Sequence, residues 1–465
     1  MSFDPVPGLL NLATEALEGE FAALPDFDPT TPAAMDTAAM EEILTAVASR
    51  LGDNYPYFHP LYAGQMLKPP HPVARAAYAL AMKINPNNHA RDGGRASSEM
   101  EIEAVAEIAG MFGWASSGEQ GYLGHLTSSG TIANLEALWV AGQAAPGRRI
   151  IASEQAHYTH QRVSGVLKLE FASVSSDERG RMRLDGLEDE LRKGNVGTVV
   201  VTLGTTGIGS VDPLDEILAL RERHGFRVHV DAAYGGYFCL IPEVLDEPAR
   251  RAYGAIGRAD SIVIDPHKHG LQPYGCGCVL FRDAAVGRFY KHDSPYTYFT
   301  SKQLHLGEIS LECSRAGAAA VALWATQKLL PLVPEGEFAR GLASGRAAAL
   351  ELDRRLRGSS RFEPLARGGP ELDIVVWKAL AGTLAQASKL ADTIFKKAEA
   401  RGLHLALVQL PHSWFQADGG AEAGVIPEPV TCLRSVLMKP EHLEWIDRIW
   451  IELTAATAEA QQELG

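Results

Sequence analysis

A lysine between two histidines closes the apolar run Asp260-Ser-Ile-Val-Ile-Asp-Pro-His-Lys-His269. Just beyond a buried strand, a lysine is desolvated, which favours its neutral, nucleophilic amine and suits it to Schiff-base formation. A lone loop lysine is ordinarily a solvated surface group, so the case for Lys268 rests on the residues it keeps company with. In His229-Val-Asp-Ala-Ala-Tyr-Gly-Gly236, Asp231 ends a second strand and small residues follow it. A carboxylate there can pair with a pyridine nitrogen and keep it protonated, the condition for the ring to act as an electron sink. Ala233 leaves room for a flat ring. An isolated strand-end aspartate often does no more than cap the next turn.

A third segment, Leu126-Thr-Ser-Ser-Gly-Thr-Ile-Ala-Asn-Leu-Glu-Ala-Leu138, is a hydroxyl-bearing loop entering an amphipathic helix. Backbone N–H groups at a helix start, reinforced by Ser129 and Thr131 and unobstructed at Gly130, make a phosphate seat. Ser/Thr caps open many helices, so this segment is weak by itself. His157, in Ser153-Glu-Gln-Ala-His157, can stack on the ring face opposite the alanine; taken alone, a buried structural histidine is the fair alternative. Thr206, in Thr202-Leu-Gly-Thr-Thr-Gly-Ile-Gly-Ser-Val-Asp212, can hydrogen-bond a ring hydroxyl. Amine, carboxylate and phosphate seat together are what pyridoxal 5′-phosphate requires. The pairs His157/His160, His267/His269 and Cys276/Cys278 raise the question of metal binding, but zinc needs three or four ligands. Cys276 and Cys278 share one face of a strand by its period of two and read as core thiols.

These segments need strands that end on one side of a sheet, where open α/β folds place their ligands. From about residue 91 to 300 the pattern provides them: Ile150–Ala152, Thr198–Thr202, Arg227–Val230, Ser261–Ile264 and Gly277–Phe281 alternate with helical stretches, an α/β arrangement with mostly parallel strands. Residues 9 to 50 carry helical spacing broken by Pro25, Pro29 and Pro32, which predicts two helices joined by a loop, an arm more than a core. From about 336, FARGLASGRAAALELDRRLR, a strand at Asp373–Trp377 and a helix near 383–401 predict a smaller α+β domain. The expected division is 1–90, 91–335 and 336–465.

Composition narrows the function classes. With 43 Lys and Arg against 57 Asp and Glu, the formal charge is −14, which disfavours a phosphate-backbone footprint and so a nucleic-acid partner. No basic leader precedes an apolar stretch, and no segment approaches the ~20 apolar residues of a membrane helix. Five cysteines in 465 residues are unlike a disulfide scaffold. A soluble cytoplasmic protein with reduced thiols is expected.

In order along the chain, NYPYFHPLYAGQM, ASSEMEIEAVAEIAGMFGW, HLTSSGTIANLEAL, SEQAHYT, VTLGTTGIGSVDPL, HVDAAYGGYF, DPHKHGLQPYGCGCVLFRD, ECSRAGAAAVALW and TCLRSVLMKPEH resemble the group II pyridoxal-dependent amino-acid decarboxylases, which include aromatic-amino-acid, tyrosine, glutamate and histidine enzymes. The resemblance spans nearly the whole chain. It implies fold type I: a large α/β domain around a mainly parallel seven-stranded sheet, a small C-terminal domain, and an N-terminal segment clasping a second subunit in a homodimer. It makes Lys268 the Schiff-base lysine with His267 beside it, and Asp231 the partner of the ring nitrogen. Ala233 lies under the ring and His157 above it. Ser129, Gly130 and Thr131 hold the phosphate and Thr206 the ring hydroxyl. Asp265 sits near the phosphate, where several relatives carry asparagine. Tyr296 (or Tyr298), in His292-Asp-Ser-Pro-Tyr-Thr-Tyr-Phe-Thr300, returns a proton to the α-carbon after CO₂ leaves.

The implied activity is removal of the α-carboxylate of an L-amino acid to give an amine. A carbon–carbon lyase of the sphingosine-phosphate-lyase kind shares every cofactor contact, and HKHG resembles the HKYG of those lyases. A transaminase fits less well, because of the Leu-Gly-Thr-Thr and C-terminal motifs. A catalytically silent binding subunit is disfavoured by the joint presence of lysine, aspartate and phosphate loop. Gly64, Gln65 and Met66 stand where aromatic-amino-acid decarboxylases carry bulky aromatics, and Asn87-Asn88-His89 is polar, which leaves the substrate side chain open.

Overall fold

The computed structural model describes residues 4–25, 36–114, 121–291, 305–415 and 428–465. The proline-broken N-terminal pattern forms two helices, α1 (Val6–Glu20) and α2 (Thr37–Leu51), neither of which buries a residue. Arg75–Asp4 and Lys83–Glu18 contacts of 2.8 and 2.7 Å fasten the first segment to the region of α3 (Pro72–Met82). Pro72 at the start of α3 costs nothing, because the first helical N–H has no intrahelical partner. α4 (Arg95–Met111) then leads into the sheet.

The central region runs β1 (Leu123–Thr127), α5 (Gly130–Ala144), β2 (Arg149–Ser153), α6 (Thr159–Val166), β3 (Phe171–Val174), α7 (Leu184–Arg192), β4 (Val196–Thr202), α8 (Leu214–His224), β5 (Arg227–Asp231), α9 (Glu247–Gly254), β6 (Ser261–Ile264) and β7 (Gly277–Phe281). Its seven strands lie in the order β1-β7-β6-β5-β4-β2-β3. β2, β3, β4, β5 and β6 pair in parallel, whereas β7 is antiparallel to both β6 and β1. Two reversals restore direction, so β1 runs with β6, and the chain leaves β1, β2, β4, β5 and β6 at one edge.

β4 reads VGTVVVT and is buried at every position, the signature of a strand covered on both faces. β7 separates two packed layers by its period of two. Cys276, Cys278 and Leu280 join the main core, and Val279 and Phe281 pack with Ala133 and Ala137 of α5.

α10 (Gly317–Leu329) and α11 (Glu337–Arg357) lead to a second sheet built from β8 (Phe362–Pro364), β9 (Ile374–Ala379), β10 (Ala406–Leu410) and β11 (Val430–Val436). Its order is β10-β11-β9-β8, all antiparallel. α12 (Leu384–Ala400) and α13 (His442–Leu464) cover it, and Trp377, Leu352, Ile394 and Ile449 form its core. The strand expected at 373–377 begins one residue later and runs to Ala379. All five cysteines are free thiols. Among the described residues no helix is long and apolar enough to cross a membrane.

Candidate active site

β6, fully buried, ends at Ile264, and the chain turns at once: the Lys268 N–H donates to the Asp265 carbonyl at 2.9 Å. The turn brings Lys268 Nζ to 3.2 Å and His267 Nε2 to 3.5 Å from Asp265 Oδ2. His267 Nδ1 donates to the Cys276 carbonyl at 2.6 Å, and burial lowers the pKa of this imidazole. The Asp265 N–H donates to the Ala233 carbonyl at 3.2 Å, tying the loops after β5 and β6 together.

Asp231, the last residue of β5, is buried. Its Oδ2 lies 2.8 Å from His160 Nε2, and its Oδ1 accepts from the Ala233 N–H at 3.1 Å. Burial acts to raise the Asp231 pKa, but the His160 hydrogen bond and the positive charge of Lys268 outweigh it and hold the carboxyl well below the usual range. His229, two residues earlier, is clamped between Ser261 Oγ and Asn134 Oδ1 at 2.9 and 2.8 Å, and burial pushes it down to about 3.

The loop after β1 opens α5 with Ser129 as N-cap, its hydroxyl accepting from the Ile132 N–H at 3.3 Å. Gly130 packs directly against Asp265: a Cβ there would stand 2.4 and 2.5 Å from the carboxylate oxygens. Gly277 is constrained in the same way, since its Cβ would meet the Ser129 backbone at 2.6 Å. Asp231, Ala233, Asp265, His267, Lys268 and Gly130 thus form one contiguous cluster.

The remaining expected residues occupy the same edge of the sheet without bonding directly to that cluster. Thr131 is exposed on the first turn of α5, and Thr206 is exposed in the loop after β4. His157, half-buried after β2, interacts electrostatically with Asp231 and Lys268; burial lowers its pKa. Its Nδ1 accepts from the Thr159 N–H at 3.3 Å and lies 2.7 Å from the Thr159 hydroxyl. Tyr296 and Tyr298 lie outside the described residues.

Three residues here carried no role in the sequence reading. His160 entered it only as half of a candidate metal pair, and among the described residues no group of three or more potential ligands exists. Arg434 is buried in β11; its guanidinium donates to the carbonyls of Thr206 and Gly64 and to Gln65 Oε1 at 2.8, 3.4 and 3.2 Å. Burial lowers its pKa, yet an arginine stays cationic at neutral pH. The signal available was a lone charge in the apolar run TCLRSVLM. Asp373, just before β9, is likewise buried. The Tyr234 hydroxyl donates to its Oδ1, and His269 Nε2 lies 3.3 Å from its Oδ2. Burial raises Asp373 to about 6.

The cluster fits pyridoxal 5′-phosphate on its own terms. Among the described residues Asp265 Oδ1 is buried without a hydrogen-bond partner, and Gly130 keeps open a cradle that any Cβ would close. A lysine amine and a buried, ionised carboxylate stand on adjacent strand ends, as the cofactor's two ring functions demand.

Comparison with known proteins agrees. A family model described as the pyridoxal-dependent decarboxylase conserved domain matches residues 35–376. L-tyrosine decarboxylase of Enterococcus faecium is 28% identical over 417 residues, covering 68% of this chain and 67% of that protein. A Methanothermobacter thermautotrophicus protein named "Probable L-tyrosine/L-aspartate decarboxylase" is 31% identical over 269 residues, 57% of this chain and 70% of its own. Among solved structures, Oryza sativa TDC with PLP and tryptamine has a TM-score of 0.78 at 18% identity, covering 99% of both chains. Mouse CSAD has a TM-score of 0.76 at 22% identity, over 95% of this chain and 91% of its own. The two structures share the fold. The chain belongs to the pyridoxal-dependent decarboxylase family, as an enzyme that uses pyridoxal 5′-phosphate to remove the carboxylate of an amino acid.

Proposed function

We propose that Lys268 holds the cofactor covalently and that Asp231 partners its ring nitrogen. Ala233 and His157 flank the ring. Ser129, Gly130 and Thr131 receive the phosphate, with Asp265 and His267 beside it, and Thr206 meets the ring hydroxyl. The observation that carries this reading is the buried Asp231 carboxylate, held ionised at the end of the strand next to the one that delivers Lys268. When bound, the cofactor supplies an electron sink for the pair released as the bond from Cα to the carboxylate breaks.

The chain's own residues then have distinct tasks. Asp231 keeps the ring nitrogen protonated. Arg434 has only carbonyl and amide oxygens as hydrogen-bond partners among the described residues, and we assign it to the substrate's α-carboxylate. His157 accepts from Thr159 through Nδ1, so in its neutral form the proton sits on Nε2. Tyr296 is the proposed proton donor to Cα, with Tyr298 as the alternative.

The same reading includes a homodimer in the cytoplasm, with domains at 1–90, 91–335 and 336–465. Helices α1 and α2 support the dimer: they bury nothing yet present Leu9, Leu12, Ile43, Leu44 and Leu51 as exposed apolar side chains, a surface suited to a second copy. The five free thiols suit a reducing compartment. The two sheets, lying on either side of residue 335, support the domain division.

The relatives named for L-tyrosine and L-aspartate define the first substrates to try. Purified protein with pyridoxal phosphate is offered a panel of aromatic, acidic and other polar L-amino acids, and CO₂ and amine are quantified. One amine per CO₂ is expected. An aldehyde with the carboxylate retained would mean carbon–carbon cleavage and overturn the reading.

A further inference from the structure

His160 stands three residues beyond His157 but occupies a different environment. It is fully buried near the start of α6, and its Nε2 lies 2.8 Å from Asp231 Oδ2. A carboxylate only accepts hydrogen bonds, so the proton in this contact belongs to Nε2. The other nitrogen, Nδ1, is buried with no partner among the described residues. The neighbouring His229 ring, 6.2 Å away, is engaged with Ser261 and Asn134 and does not reach Asp231 through either nitrogen.

Asp231 is therefore gripped at both oxygens, by His160 at Oδ2 and by the Ala233 N–H at Oδ1. Two fixed donors define the plane of a carboxyl group, whereas one leaves it free to rotate. The backbone donor comes with the turn after β5. The imidazole is delivered by a separate element, α6, which packs against the sheet one layer away from the strand that bears Asp231.

We propose that His160 is a positioning residue, which orients the Asp231 carboxylate through its Nε2–H so that Asp231 can hold a proton on the cofactor's ring nitrogen. The proposal rests on the assignment of Asp231 given above. The alternative is a polar pair that merely satisfies itself in the core, which would affect stability alone.

Glutamine and asparagine separate the two. The amide nitrogen of glutamine reaches about as far as Nε2 of histidine, and that of asparagine only about as far as Nδ1. Three quantities are measured on His160→Asn and His160→Gln: the Kd of the apoprotein for pyridoxal phosphate, the pH midpoint of the bound cofactor's absorbance, and kcat, each beside the melting temperature of the apoprotein. The groups facing Asp231 that can contribute to the midpoint are His160 on α6, His229 on β5, His157 after β2 and Lys268 after β6.

In His160→Asn, Kd should rise and kcat fall on the order of 10- to 100-fold, the scale of one hydrogen bond to a charged group. The absorbance midpoint should move, and His160→Gln should recover most of each loss. A wild-type midpoint and Kd in His160→Asn, or a glutamine no better than asparagine, would overturn the proposal. If His160→Asn does not fold, His160→Gln decides: a near-wild-type midpoint supports the role and a displaced one refutes it. Asp231→Asn is run in parallel. If it leaves Kd and absorbance unchanged, the Asp231 assignment itself fails; a crippled Asp231→Asn beside a normal His160→Asn refutes only the role of His160.

Discussion

Lys268 and Asp265 form an ion pair at 3.2 Å across one turn of chain, and His267 Nε2 lies 3.5 Å from the same carboxylate oxygen. The proposed carbonyl capture by Lys268 would require its amine to give up that pairing and leave Asp265 facing whatever takes the amine's place. Lys268→Ala should still fold, because the side chain is part-exposed and the turn is held by backbone bonds, but it should retain no cofactor after borohydride reduction and denaturation. Mass spectrometry of the reduced protein checks this, and a cofactor adduct on the mutant would assign the covalent bond elsewhere. At this scale the sequence was readable where a residue type is rare at its position: a lysine or an aspartate ending an apolar strand stands out. His160 and Arg434 did not, because their meaning comes from partners 71 and 228 positions away, Asp231 and the Thr206 carbonyl. No periodicity reports such a contact.

The start of α5 works as an element. The first N–H groups of any helix have no intrahelical partner, and this N-terminus approaches Asp265 so closely that only glycine fits at 130. Alanine is the better helix former by up to about 1 kcal/mol, so local propensity alone makes Gly130→Ala harmless or stabilising. The close approach predicts the reverse for ligand binding: a methyl pressed on Asp265 costs about 1–3 kcal/mol of strain or displaces the carboxylate. Titration of the apoprotein with pyridoxal phosphate should show weakened binding by roughly tenfold or more, the equivalent of ~1.4 kcal/mol. Unchanged affinity would mean the cradle is not used. Among elements, β2 and β4 to β7 were legible as short β-branched or apolar runs between helical stretches. β1, with the sequence LGHLT, was not, because its glycine and histidine hide a strand that exists through antiparallel pairing with β7. β10 and β11 escaped for a related reason: they are defined by partners in a second sheet.

Over the whole molecule, buried titratable groups set how stability responds to acid. Burial pushes His229 and His442 down to about 3 and His269 well below its ordinary 6.5. The unfolded chain takes up protons at these sites below pH 6.5 and the folded chain does not, so their contribution is intact above 6.5 and lost as pH falls toward 3. Asp212 and Asp373, raised by burial to about 6, act in the opposite sense: the folded state binds their protons first, which favours it as pH drops from 6 to the ordinary 3.8. Between pH 7 and 5 the histidines start earlier and are more numerous, so the urea midpoint should be lower at pH 5 than at pH 7. An equal or higher midpoint at pH 5 would contradict this balance. Asp373 also has a mechanical consequence. Tyr234 lies three residues from the proposed ring-nitrogen partner, His269 lies one from the proposed covalent lysine, and both converge on this carboxylate at the edge of the other sheet. Through this carboxylate the two loops proposed to hold the cofactor are tied to the C-terminal sheet, so free energy gained on cofactor binding is expected to be shared with β9, and loss of the cofactor to loosen both halves together.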